Sequence, residues 1–141
     1  MAVIPNSNVG APGLLFPLVN SSIEAGVMAE AKDAEGGFPL YGKNGEPLKC
    51  YVTKPAEGGY LKGFCLRTLR NDKYEEGDTV NVIKKGRFWV KVLGQVVAGE
   101  PAYVNNTNNG ITATSAGATA ITGGMFKSNA NDGELAELEI V

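Results

Sequence analysis

The chain has 141 residues, the size of one ordinary domain, and its 43% apolar and 20% charged content excludes general disorder. Thirteen basic and fifteen acidic side chains leave a formal charge of −2, so net charge makes no case for nucleic-acid binding. There is no histidine, which removes the commonest general base, the commonest zinc ligand and every Ser-His-Asp or Cys-His scheme.

Residues 1–23 read as an extended arm. Pro5, Pro12 and Pro17 fix φ and remove amide donors, so neither a helix nor a central strand fits. The first acidic side chain is Glu24 and the first basic one Lys32. No secretory signal or membrane span is recognisable, and folding in a cytoplasm is expected. The arm nevertheless carries Leu14, Leu15, Phe16, Leu18 and Val19, more apolar bulk than a free tail exposes. Those five residues are the candidate partner contact, although packing on the arm's own domain would also bury them.

Residues 24–141 read as a β body. Val27–Lys32 is ambiguous between a short strand and a helical turn. Leu48, Cys50 and Val52 alternate with Lys49, Tyr51 and Thr53, the period-two signature of a strand. Pro47–Lys54 and Tyr60–Arg67 look like the arms of a hairpin turning between Glu57 and Gly58. That register sets Cys50 opposite Cys65. Two cysteines without histidine cannot make a four-ligand zinc site. Buried free thiols and a disulfide both remain open, and a cytoplasmic folding site favours thiols.

Thr79–Ile83 and Arg87–Leu93 are expected to pair across Lys84-Lys85-Gly86. In the second strand Phe88, Val90 and Val92 alternate with Arg87, Trp89 and Lys91. Ala102–Val104 and Ile111–Thr114 flank an Asn-rich turn, Asn105–Gly110. Gly123-Gly124 interrupts strand-like sequence, which points to a bulge or a close backbone approach. The last strand, Leu135–Val141, sets Ala136, Leu138 and Ile140 against Glu137 and Glu139. Eight to ten short strands and no amphipathic helix give an all-β barrel or sandwich in a single domain.

Charge is uneven along the chain. Residues 43–91 hold eleven basic and six acidic side chains, while residues 101–126 hold no charge at all. A neutral stretch of that length suits a solvated sheet or an interface, whose core is charge-depleted.

No phosphate loop or dinucleotide fingerprint occurs. Asp72, Glu75, Glu76 and Asp78 cluster, but Arg67, Arg70 and Lys73 share the segment and calcium-loop spacing is missing. Phe88, Trp89 and Tyr103 lie near Lys84, Lys85, Arg87 and Lys91. A sugar-binding platform would need Trp89 and Tyr103 exposed on one flat face. No catalytic, cofactor or metal residue is assigned, and the chain is read as a non-enzyme without cofactor.

Four features resemble the head-decoration, or cement, proteins of tailed bacteriophages. They are the uncharged arm from Ala2-Val3-Ile4-Pro5-Asn6 to Phe16-Pro17-Leu18; Glu76–Val82 followed by Gly86–Val92; Val97-Ala98-Gly99-Glu100-Pro101-Ala102-Tyr103-Val104; and the ending Gly124–Ser128 with Asp132–Val141. The resemblance implies a β-barrel or β-sandwich on the outer capsid surface that cements neighbouring major capsid proteins. The major capsid protein and neighbouring copies of the chain are the implied partners, a homotrimer where the sites are three-fold, with no nucleic acid and no membrane. A tail or head–tail junction β-protein and a carbohydrate-binding β-module are the alternatives.

Overall fold

The computed structural model describes residue 12 and residues 21–33, 36–66 and 73–141. Eleven strands and no helix occur among them: β1 (Ser22–Met28), β2 (Lys32–Asp33), β3 (Pro39–Lys43), β4 (Glu46–Tyr51), β5 (Gly59–Cys65), β6 (Lys73–Tyr74), β7 (Thr79–Lys91), β8 (Pro101–Asn105), β9 (Ile111–Thr112), β10 (Ala118–Phe126) and β11 (Leu135–Ile140). The all-β expectation holds.

The strands form two halves that share β7. In the first, β1, β4, β3, β5 and the start of β7 are linked in that order, and β1 also pairs with β7, which closes a five-stranded barrel. In the second, the end of β7 continues through β11, β10, β8 and β9. A bridge from Ile111 to Val92 brings β9 back to the end of β7. β2 and β6 form a separate two-stranded ribbon.

Each half has its own core. Met28, Leu40, Cys50, Cys65, Tyr74, Val80 and Val82 come from β1 and β3 to β7 and form the core of the first barrel. Phe88, Val90, Val104, Phe126, Ala136 and Leu138 belong to the second core. Tyr41, Phe64 and Ile83 join that second core, although they stand on the strands of the first barrel. The alternation of side chains across a strand explains this, because Cys65 and Val82 face one core while their neighbours Phe64 and Ile83 face the other.

Two expected hairpins are corrected. β4 and β5 do not pair, because β3 lies between them and bonds to both. Cys50 and Cys65 are therefore not cross-strand partners, and both are buried free thiols. Lys84-Lys85-Gly86 is not a turn. It lies within the single thirteen-residue strand β7. Gly86, at φ +133°, marks the bend where β7 leaves β1 and β5 and takes up β11. The ambiguous segment near Val27 resolves as the end of β1, followed after three residues by the short β2.

Candidate functional site

The candidate contact residues Leu14, Leu15, Phe16, Leu18 and Val19 lie outside the described residues. Pro12 is described, and it forms a parallel bridge with Trp89 on β7. Trp89 shares the outward side of β7 with Arg87, which pairs with Glu139 on β11. Yet Trp89 is only 7% exposed. Pro12 thus meets the β body at the chain's single tryptophan. Tyr103 is half-buried, so Trp89 and Tyr103 build no open aromatic platform.

Beside Trp89 the outer face carries a charge ladder. Arg87 lies 3.7 Å from Glu137 and 3.5 Å from Glu139, and Lys127 lies 3.4 Å from Glu139. These pairs are partly solvated and contribute little to stability, about 0–1 kcal/mol each.

The neutral stretch occupies β8, β9 and β10. Asn106, Thr107, residues 114–117, Ala120 and Thr122 are exposed along it. The Asn-rich turn is internally satisfied: Asn105 Oδ1 accepts from the amides of Thr107 (2.8 Å) and Asn108 (3.2 Å). Thr119 Oγ1 donates to Asn106 Oδ1 at 2.6 Å. At Gly123 the close approach expected at the Gly-Gly pair is present. Gly123 has φ +78°, a Cβ there would stand 2.5 Å from the Val141 carbonyl, and the β8–β10 register shifts between Ala120 and Met125.

The acidic cluster builds no site. The amide of Glu75 donates to Asp78 Oδ2 at 2.8 Å, which closes a tight turn. Asp72, Arg67 and Arg70 lie outside the described residues. Among the described residues no group of three or more metal-ligating side chains converges.

Sequence reading missed Lys62. It is the extra residue where the β3–β5 register shifts, since Leu40 pairs with Gly63 and Tyr41 with Leu61. Its side chain is buried, and Nζ donates to the carbonyls of Pro47 (2.5 Å) and Lys49 (3.4 Å). Glu24 lies 3.9 Å away and is itself half in solvent. Lys62 therefore ties β5 to β4 and β1. A lysine beside glycine in an apolar strand was the only sequence signal.

Also unforeseen is a cavity of about 560 Å³. It opens at the seam where the β2–β3 connection and the end of β4 face the ends of β7 and the Asn-rich turn. Lys32, Thr53, Lys91, Asn109 and Asp132 line it.

The described residues thus form an all-β body with a neutral sheet face and no converging set of metal-ligating side chains. Residues 4–141 match the family described as "Structural cement protein (E217 gp24/Pam3 gp6)", and the chain belongs to that family. Among solved structures the fold is similar to a chain of "The capsid of Myoviridae Phage XM1". The TM-score is 0.73 at 16% identity, covering 99% of this chain and 98% of that one. It is also similar to "head fiber gp8.5 N base in bacteriophage phi29", with TM-score 0.53, 14% identity, and 86% and 95% coverage. No curated protein sequence matches the chain. The protein is a structural virion component of the phage capsid, as its family defines.

Proposed function

We propose that the chain binds the outer surface of the capsid after folding in the host cytoplasm, and that it bridges neighbouring major capsid proteins through its N-terminal arm. The family match carries this reading, because it begins at residue 4 and so takes in the arm together with the β body. Leu14, Leu15, Phe16, Leu18 and Val19 supply the apolar contact. In sequence they precede β1, whose Ile23 and Val27 are 43% and 36% exposed, so the body offers apolar surface of its own. Such a role requires no catalysis. Burial of apolar surface drives association, and each copy that spans two subunits adds its contacts to those that lattice rupture must break. Where the binding sites are three-fold, a trimer gains avidity by engaging three equivalent surfaces.

The test is gradient co-sedimentation with expanded capsids that lack the chain, comparing full length with a deletion of residues 2–20. Saturable binding of the full-length chain at a fixed ratio to the major capsid protein is expected, with loss in the deletion. Equal binding by the deletion would move the contact to the body. No binding by either form would overturn the cement role.

A further inference from the structure

We propose that the seam cavity is a docking site for an acidic segment of the capsid protein, with Lys32 and Lys91 as its recognition groups. The inference rests on the capsid-binding reading above and assigns a second contact to it. The cavity is in the size range of ligand sites, roughly 300–1,000 Å³, and accommodates a few side chains of a partner.

Its polar inventory selects the occupant. Most of the main-chain donors around it are already used. The amide of Gly37 donates to the Cys65 carbonyl (2.8 Å), that of Leu93 to Ile111 (2.8 Å) and that of Gly133 to Val92 (2.9 Å). The Gly110 amide donates to Asn108 Oδ1 at 2.9 Å. Asn109 is also committed, its Nδ2 donating to the Val52 carbonyl at 3.1 Å. The one lining carboxylate among the described residues, Asp132, accepts from the Gly94 amide at 2.7 Å through Oδ1.

Two ammonium groups are left. Lys32 Nζ stands 5.5 Å from the centroid of the Phe38 ring. Among the described residues, neither Lys32 nor Lys91 has a carboxylate within ion-pair distance. Among the described residues, two unpaired cations against one committed carboxylate make the lining net positive in a chain of net charge −2. Lys32 comes from β2, in the ribbon whose Tyr74 packs into the first core, and Lys91 from the end of β7, in the second half. A segment carrying two acidic side chains would engage both and bridge the halves. Charge complementarity of this kind sets specificity and on-rate more than raw affinity.

The test uses the full chain and expanded capsids lacking it. Lys32→Glu/Lys91→Glu is compared with Lys49→Glu/Lys85→Glu, which makes the same charge change at exposed lysines that do not line the cavity. Both variants are expected to keep the wild-type melting temperature. The cavity variant is expected to bind capsids about tenfold more weakly at low salt, with a smaller salt dependence, while the control binds like wild type. Thr53→Trp, which fills the cavity at constant charge, is expected to weaken binding as well. Wild-type binding by the cavity variant, or equal loss in the control, would overturn the proposal while leaving the cement role intact. Loss of self-association by the cavity variant in sizing, with capsid binding unchanged, would also overturn it and assign the cavity to a second copy. If the wild-type chain itself fails to bind capsids, the cement role fails first.

Discussion

Tyr41 and Asn109, 68 residues apart, are joined by a hydrogen bond of 2.8 Å in which the Tyr41 hydroxyl donates to Asn109 Oδ1. The Asn109 side chain then turns back to the first half of the fold, donating to the Val52 carbonyl at 3.1 Å. Asn109 is also the only described non-glycine residue with positive φ, at +61°. Asparagine tolerates that backbone better than other side chains, and here its amide links the two halves of the fold.

Asn109→Ala is expected to lower stability by about 2–4 kcal/mol. Roughly 1–3 comes from leaving Tyr41 and the Val52 carbonyl without partners, and about 1 from the strained backbone. Asn109→Gly relieves the backbone and should recover about 1 kcal/mol of the loss. Urea denaturation of the two variants checks this. Equal stabilities would mean that backbone strain at residue 109 contributes nothing.

Alkaline pH should destabilise the fold in two overlapping steps. Burial pushes the Cys65 thiol up to about 11 and the Tyr41 phenol up to about 12, and it raises Tyr74 further in the same direction. In each case the unfolded chain releases its proton first. The stabilisation is therefore complete below the unfolded values, near 9 for cysteine and 10 for tyrosine, and is lost as pH rises through the folded ones. Stability is expected to fall from about pH 9 onward, and Tyr41→Phe should flatten the fall between about pH 10 and 12. The same burial should make both thiols inert to an aromatic disulfide reagent at pH 8 until urea unfolds the chain. Fast labelling of native protein would contradict the enclosed first core.

Much of the fold was legible because burial of one strand face writes itself into the sequence. Ala136, Leu138 and Ile140 alternate with Glu137 and Glu139, and the structure buries the first set and leaves the second partly in water. Pairing was not legible. Lys84-Lys85-Gly86 has turn composition, yet Gly86 serves a bend whose partners lie far off in sequence, Ser22 of β1 opposite Lys85 and Ile140 of β11 opposite Gly86. β3 was missed because Pro39 and Gly42 weaken its strand signal, and its insertion separates two strands whose five-residue connection looked like a hairpin loop. The seam cavity was invisible because its lining converges from segments spread over about a hundred residues.

Lys62 offers a separate test of how the first barrel is held. Lys62→Ala removes the donor to Pro47 and Lys49 and empties the space its stem fills, and should cost about 2–4 kcal/mol. Lys62→Met keeps the stem and removes only the charge and its hydrogen bonds, so it should cost about half as much. Thermal melts of the two variants separate packing from hydrogen bonding. A Lys62→Met variant as unstable as Lys62→Ala would assign the whole effect to the ammonium group.

Gly123 and Gly99 both have positive φ, +78° and +96°, but only Gly123 faces an obstacle. A Cβ at Gly99 meets nothing within 4 Å, whereas at Gly123 it would sit 2.5 Å from the Val141 carbonyl oxygen, which is backbone and cannot simply rotate away. The Val141 amide also donates to the Gly123 carbonyl at 3.2 Å, so displacement would disturb the end of β11. Gly99→Ala should therefore show only the left-handed penalty of about 1–2 kcal/mol. Gly123→Ala should exceed it by a further 1 kcal/mol or more, roughly the cost of overpacking a tight site. Chemical denaturation of both variants measures the difference. If the two losses are equal, the chain end moves aside freely, and the Gly123–Val141 approach does not hold the closing strand in register.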